Sequence, residues 1–445
     1  MNESTYDFIA IGVGPCNLGL ACLTAPLSGV RSLFLERKPA FSWHPGMLLD
    51  GTTLQNPFLA DLVSMADPTS PFSYLNYCKR QGRLYTYYIR ENWYLDRQEF
   101  DRYCRWAAAQ LDNLRCGHEV QGIRHEPATG QYVVRGRRIE DGGTFEYRAR
   151  KLVIGIGGVP CFPDGCGALD REHLVHSSGY LAERARLQAG RSITVVGSGQ
   201  SGAEVYHDLL QGSERHGYTL NWVTRAPRFF QMEDAKLTLE LITPEYGDYF
   251  YDLDPATKAE VLDDQRSIYN GINQSLIERL YALLDERRHR DAPPTRLLTC
   301  MALEACRRAP DGRGWELDFR HTQLGRRYRH RVDGVVFATG YRHQVPAFVE
   351  GIRARIRWNS QGQYAPSKRW AVDHHNREIF VQNVGLQSHG LTNPDLGLAC
   401  HRNSRLLAEL TGHDHYPSEP RTAFQDFAPG EDSGFVALER EAVGS

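Results

Sequence analysis

The sequence predicts an α/β fold with two Rossmann-like dinucleotide-binding domains and a small, mostly helical region. Three observations carry this. The β-branched run Phe8-Ile9-Ala10-Ile11 leads through Gly12-Val13-Gly14-Pro15-Cys16-Asn17 into the helix-like Leu18-Gly19-Leu20-Ala21. A second run, Ile193-Thr194-Val195-Val196, leads through Gly197-Ser198-Gly199-Gln200-Ser201-Gly202 into Ala203-Glu204-Val205-Tyr206. A third, Val335-Val336-Phe337, ends in the small-residue turn Ala338-Thr339-Gly340-Tyr341. Strand, tight turn and helix in that order open a βαβ unit.

In the first turn Gly12 and Gly14 let the backbone approach a pyrophosphate, and the helix behind offers unpaired N–H groups and a positive dipole end. Asn17 takes the usual third glycine position. Glu36 closes the next strand, 24 residues after Gly12, where a carboxylate accepts ribose hydroxyls. The second turn has the full set Gly197, Gly199 and Gly202, but its following strand, Leu220-Asn221-Trp222-Val223-Thr224, ends in Arg225. A cation there favours a 2′-phosphate, hence NADPH over NADH; the alternative is a solvated arginine in an arginine-rich chain. Two nucleotide turns with a return strand ending Ala338-Thr339-Gly340 describe a flavoprotein that takes hydride from NADPH. No Cys-x-x-Cys is present, which removes the dithiol-reductase branch of that architecture.

In chain order, residues 1–175 are expected to form the first part of the FAD-binding domain, and 176–232 with 291–330 the NADPH-binding domain. Residues 233–290 form the helical substrate-binding region, where Ile272, Leu276, Leu280, Leu283 and Leu284 recur at helical spacing. Residues 331–411 return to the FAD-binding domain, and 412–445 are a tail that loosens from about Pro429.

The 445 residues carry 52 Lys plus Arg against 54 Asp plus Glu, a balance that argues against a nucleic-acid or anionic-membrane binder. Only 6 of those 52 are lysines. Ten scattered cysteines, with Cys161 and Cys166 lacking a second ligand pair, read as free thiols in a reducing compartment and not as a metal site. No basic leader precedes Phe8 and no apolar run approaches a membrane span, so a cytoplasmic location is expected.

The segments Gly12-Val13-Gly14-Pro15-Cys16-Asn17-Leu18, Phe41-Ser42-Trp43-His44-Pro45-Gly46-Met47, Leu54-Gln55, Asp67-Pro68-Thr69-Ser70-Pro71-Phe72, Ala338-Thr339-Gly340-Tyr341 and His389-Gly390-Leu391 resemble the lysine/ornithine N-monooxygenase family, flavin-dependent enzymes of hydroxamate siderophore assembly. The resemblance spans residues 6 to 410. It implies that NADPH reduces FAD, that O₂ adds at the flavin C4a, and that a primary amine attacks the distal oxygen of that hydroperoxyflavin. It also implies a homo-oligomer, dimer or tetramer. It makes Pro15, Trp43, His44, Gln200, Ser201, Thr339, Gly340, Tyr341, His389, Gly390 and Leu391 cofactor-binding candidates beside the glycines, Asn17, Glu36 and Arg225. Gln55 matches the family glutamine that faces the flavin; the alternative is a glutamine capping a loop. Asn270, in Tyr269-Asn270-Gly271-Ile272, corresponds to the family asparagine near the nicotinamide ribose and the reacting amine, although the usual Thr-Asn-Tyr pattern is broken.

Amino-acid hydroxylases of this family carry a lysine in a Phe-Leu-Lys-Asp-Leu run that pairs with the substrate carboxylate. Here the run reads Phe58-Leu59-Ala60-Asp61-Leu62. A lysine-poor chain could have kept the charge as arginine, yet Ala60 keeps none. The ornithine enzymes place an asparagine four residues before an Asn-Pro-Glu segment, and the matching position before Thr243-Pro244-Glu245 is Leu239. A carboxylate buried without its partner costs about 3–5 kcal/mol. The expected substrate is therefore a diamine, putrescine or cadaverine, hydroxylated on one nitrogen. Its distal ammonium needs an anion, and Glu240 and Asp395 are the candidates, each with the alternative of a surface carboxylate. The rivals are a lysine or ornithine hydroxylase holding its carboxylate otherwise, and a flavin-binding redox sensor that performs no monooxygenation. A Baeyer–Villiger or sulfur-oxidising enzyme would carry a Phe-x-Gly-x-x-x-His signature before the second turn, which is absent.

Overall fold

The computed structural model describes residues 5–164, 166, 174–430, 433–436 and 438. The other residues of the expected tail, and residues 165 and 167–173 near the end of the first expected segment, lie outside the described residues.

The first sheet runs in the order Leu114–Arg115, Ser32–Leu35, Tyr6–Ile11, Thr144–Ile154, Gln131–Arg138, His118–Glu126. Tyr6–Ile11 is parallel to both of its neighbours. Its side chains alternate between two cores: Phe8 and Ala10 join Leu18, Phe34 and Phe100, while Ile9 and Ile11 join Leu33, Val134 and Ile379. A strand covered on both faces must be apolar throughout, which is why the run reads Phe-Ile-Ala-Ile with no polar alternation. Thr144–Ile154 serves two neighbourhoods. Its first half pairs antiparallel with Gln131–Arg138, and its second half pairs parallel with Tyr6–Ile11 and Ile379–Val381.

The second sheet is wholly parallel, in the order Leu174–His176, Gly334–Phe337, Ser192–Val196, Thr219–Val223, Thr295–Leu298. Two expectations are corrected here. Gly334–Phe337, read as the start of the return to the first domain, sits inside the second sheet, and the boundary at residue 175 falls within a strand of that sheet. All four residues of Gly334–Phe337 are buried, and a uniformly apolar run carries no mark of which sheet it will join. The chain re-enters the first domain just afterwards, where Tyr341–Arg342 pairs antiparallel with Val159–Pro160, and Ile379–Val381 joins the first sheet. A three-stranded antiparallel sheet, Met301–Arg308, Trp315–His321 and Arg327–Val332, packs Trp315, Leu317 and Phe319 under Val196, Val335 and Phe337.

The helical region comprises Lys236–Leu239, Pro244–Asp252, Pro255–Asp264, Arg266–Asn270 and Gln274–Arg287. The last helix begins at Asn273, whose Oδ1 accepts the Leu276 N–H at 2.9 Å, a cap worth about 1 kcal/mol. Its Leu276 and Leu280 are buried with Leu209 and Tyr206 in the core of the second domain, as the helical spacing predicts. From the other side, Phe250 and Tyr251 pack on Gly390 and His389 of the first domain. The region thus bridges the two domains. Among the described residues, no helix is long and apolar enough to cross a membrane.

Candidate functional site

The first turn is shaped by three different constraints. Gly12 has φ +83°, and a Cβ there would lie 2.6 Å from the Gly155 carbonyl. Gly14, the N-cap of helix Pro15–Thr24, faces open space, with no atom within 4 Å of where a Cβ would be. Asn17 lies beneath the turn, buried, and its Nδ2 donates to the Gly12 carbonyl at 2.7 Å. It clamps the turn from inside, in the space that Gly155 leaves by lacking a Cβ. Glu36 reaches across from the next strand, accepting the Val13 N–H at 2.8 Å and the Lys38 N–H at 2.9 Å. A carboxylate with lone pairs to spare is thereby fixed beside an open glycine cradle, which fits the ribose and pyrophosphate of a dinucleotide.

The second turn repeats the design with its own glycine logic. Gly197 has φ +122° and a Cβ there would meet the Ala338 carbonyl at 2.2 Å; one on Gly202 would meet the Gly197 carbonyl at 2.3 Å. Gly199 caps the 17-residue helix Gln200–His216, and a Cβ there would meet only the Asn270 carbonyl, at 3.6 Å. Arg225 is exposed at the end of its strand and makes no ion pair among the described residues. A cavity of about 500 Å³ is lined by Arg228, Phe229, Gln231, Met232, Glu233 and Ser267.

Between the turns lies a junction of aromatic and histidine rings. Trp43 contacts His44 at 4.7 Å, His44 contacts Tyr341 at 5.7 Å, and Tyr341 contacts His176 at 5.2 Å. Gly46 is required here because a Cβ would lie 2.1 Å from the Ser178 carbonyl of the second domain. Thr339 donates its hydroxyl to the Cys161 carbonyl, and the Gly340 carbonyl accepts the Cys161 N–H at 2.9 Å. Burial, with Arg97 and Lys38 adding to it, lowers the His44 pKa to about 4, so the ring is neutral near pH 7. His389 is likewise lowered to about 3 by burial; it stacks on Trp370 at 4.9 Å, and Leu391 beside it is buried.

Gln55 lies on the strand Thr53–Pro57, and its Oε1 accepts the Asn273 Nδ2 at 3.0 Å. The asparagine that touches Gln55 is therefore Asn273. Asn270, the sequence candidate, is exposed and meets the second turn through its backbone carbonyl. Asn273 was not singled out from the sequence, and an asparagine that caps a helix needs no other explanation.

Next to Gln55, three residues converge around Gly397. A Cβ on Gly397 would lie 2.9 Å from Asp395 Oδ1 and 3.7 Å from both the Ala60 Cβ and the Asn56 Nδ2. Asp395 accepts Asn56 Nδ2 at 2.9 Å, Gly397 N at 2.7 Å and Leu398 N at 3.3 Å. Burial raises its pKa, opposed by those three donors and by the Arg402 charge. It has no ion pair among the described residues. Asn56 was missed from sequence, since an asparagine beside Gln55 has no pattern to distinguish it. Glu240 is removed from the candidates for the ammonium. Its carboxylate is spent on the C-terminal segment, accepting Phe424 N at 3.0 Å, Gln425 N at 2.9 Å and Gln425 Nε2 at 3.0 Å. Glu245 does the same with Thr422 and Ala423. Leu239 is exposed at the end of its short helix.

Residues 4–343 match the family model of L-lysine 6-monooxygenase/L-ornithine 5-monooxygenase. The chain is 55% identical, over 97% of its length and 94% of the relative's, to the alcaligin biosynthesis enzyme of Bordetella pertussis. It is 43% identical, over 96% of its length and 85% of the relative's, to the putrescine N-hydroxylase of Shewanella oneidensis. The crystal structure of the FAD-bound cadaverine monooxygenase from the desferrioxamine pathway of Erwinia amylovora superposes with a TM-score of 0.92, at 46% identity over 96% of this chain and all of that one.

Proposed function

Because the chain belongs to the L-lysine 6-monooxygenase/L-ornithine 5-monooxygenase family, we propose that it N-hydroxylates one end of an aliphatic diamine, putrescine or cadaverine, in hydroxamate siderophore assembly. It is a flavin-dependent N-hydroxylating monooxygenase using FAD and NADPH. The overall reaction converts amine, O₂, NADPH and H⁺ into hydroxylamine, NADP⁺ and water.

The observation that carries the diamine reading is Asp395, a carboxylate without an ion pair among the described residues, beside Ala60, where an amino-acid hydroxylase would place a lysine. A substrate carboxylate would meet an anion there, and a distal ammonium would meet its counter-ion. The relatives named for putrescine and cadaverine support the same class.

The first turn, Gly12 to Asn17, with Glu36, would hold FAD, and the open space over Gly14 and the free lone pairs of Glu36 fit it. The second turn, Gly197 to Gly202 with Gln200 and Ser201, would hold NADPH, and Arg225, which makes no ion pair among the described residues, fits a 2′-phosphate. Bound FAD supplies reduction by NADPH and activation of O₂. The chain's own tasks are positioning and proton control. Gln55 orients the reacting centre. Asp395, with Asn56 and the Gly397 and Leu398 N–H groups holding its oxygens, fixes the distal ammonium. Neutral His44 and His389 add no positive charge. An alkyl amine has a reference pKa near 10.4, so only about one in a thousand is nucleophilic near neutrality. An apolar setting that disfavours the ammonium at the reacting end raises that fraction.

Oxygen and NADPH consumption, with hydroxylamine measured for putrescine, cadaverine, lysine and ornithine separately, tests the reading. Product from either diamine well above both amino acids is expected; the reverse order overturns it. The homo-oligomer belongs to this reading too, with Tyr85, Tyr88, Ile89 and Trp93 as its exposed apolar surface. A mass of 50.5 kDa by light scattering would refute it.

A further inference from the structure

The amide of Gln55 has two edges, and which one it offers to the site is decided by a helix cap. Asn273 Oδ1 is committed, accepting the Leu276 N–H at 2.9 Å and the Ser275 hydroxyl at 3.3 Å. A backbone N–H cannot reverse its polarity, so Asn273 must turn its N–H₂ outward. That N–H₂ donates to Gln55 Oε1 at 3.0 Å, so Gln55 in turn must point its own N–H₂ the other way, where it donates to the Thr53 carbonyl at 3.4 Å. We propose that Asn273 is a positioning residue that fixes the Gln55 amide with its N–H₂, and not its carbonyl, as the edge left for the reacting centre. This rests on the reading that Gln55 faces the bound flavin.

A second chain of fixed polarities holds Asn273 itself. Its backbone N–H donates to Gln200 Oε1 at 2.9 Å, in the first turn of the helix behind the NADPH turn. Gln200 Nε2 then donates to Glu204 Oε1 at 3.0 Å. Glu204 is buried and held by Arg97 through two bonds of 2.8 Å, and Arg97 donates onward to the Met47 carbonyl at 2.9 Å. A guanidinium only donates and a carboxylate only accepts, so no amide in the chain is free to flip. The second domain, the helical region and the Trp43–Met47 segment are thereby tied to the orientation of one glutamine. A network whose every polar member is satisfied specifies a unique arrangement.

The test is the set Asn273→Asp, Asn273→Ser and Asn273→Ala in the full FAD-loaded chain. Asp and Ser both keep the cap, so their thermal midpoints stay within about 2 °C of the parent, while Ala falls by more. Only Asp replaces the donor by an acceptor, which forces Gln55 to present its carbonyl to the site. The ratio of hydroxylamine formed to NADPH consumed is expected to fall about tenfold in Asp, the loss of roughly one charge-assisted hydrogen bond, and less in Ser and Ala. The visible absorption of bound oxidised FAD is expected to shift in Asp and hardly at all in Ser. If the Asp variant couples and absorbs like the parent, or if losses simply follow the thermal midpoints with Ala worst, Asn273 is a helix cap and nothing more. If the parent itself makes no hydroxylamine from either diamine, the functional reading fails, and the flavin spectra alone decide this proposal.

Discussion

Replacing Asp395 by asparagine removes one negative charge and almost no volume. The substituted side chain can still accept the Gly397 N–H, and Asn56 can turn its amide to remain bonded, so the local packing survives. On the proposed reading, what is lost is the partner of the distal ammonium. At 4 Å and an effective dielectric near 20 the attraction between unit charges is about 4 kcal/mol, and desolvation of both ions offsets part of it. A hydrogen bond to a charged group is worth about 1.5–3 kcal/mol net, which translates to about 10- to 150-fold in kcat/KM for putrescine or cadaverine. The assay is initial-rate hydroxylamine formation over a range of diamine, with pentylamine, which has no second nitrogen, as the control. The variant should lose on the diamines and not on the monoamine. Ala60→Lys should have the same effect, because a lysine there would fill the position of the ammonium beside Asp395. A diamine kcat/KM within about threefold of the parent in both variants would place the distal ammonium elsewhere than at Asp395.

Three further outcomes follow from the geometry. Gly14→Ala should fold with an unchanged thermal midpoint, since no protein atom lies within 4 Å of the new Cβ, yet bind FAD at least tenfold more weakly in equilibrium titration; Gly197→Ala, at φ +122° and against the Ala338 carbonyl, should be destabilised in denaturant melts. Glu240→Ala should leave the diamine KM within about twofold, because its carboxylate is engaged by Phe424 and Gln425, while hydrogen exchange of those two amides accelerates. The pH dependence has a definite sign: His389, lowered to about 3, and His44, lowered to about 4, stay neutral in the fold but protonate near 6.5 when unfolded, so stability is full above about pH 6.5 and is lost as the pH falls toward 4. Each histidine contributes up to about 1.4 kcal/mol per pH unit in that window, and melts that were flat from pH 7 to 4 would contradict the burial of these rings.

The parts that sequence made legible share a physical reason. Gly12, Gly14, Gly197, Gly199 and Gly202 stand where a Cβ would strike backbone or enter the nucleotide space, and such constraints fix residue type at fixed spacing. Ala60 stood out as a candidate because a missing charge in a lysine-poor chain is not explained by lysine-to-arginine bias. What stayed hidden depends on pairings between distant segments. Glu240 looked free until Phe424 and Gln425 met it from nearly two hundred residues away, and Asn56 with Asp395 is joined across 339 residues. Gly334–Phe337 went to the wrong sheet because strands buried on both faces are interchangeable by composition. Asn273 hid behind a sufficient local explanation, the cap it also makes.

The most direct test of the diamine reading is a single-vessel competition. Equal concentrations of putrescine, cadaverine, lysine and ornithine are offered with FAD, NADPH and O₂, and each N-hydroxylated product is quantified by mass spectrometry. N-hydroxyputrescine or N-hydroxycadaverine is expected to make up nearly all of the product. N-hydroxylysine or N-hydroxyornithine as the major product would contradict it.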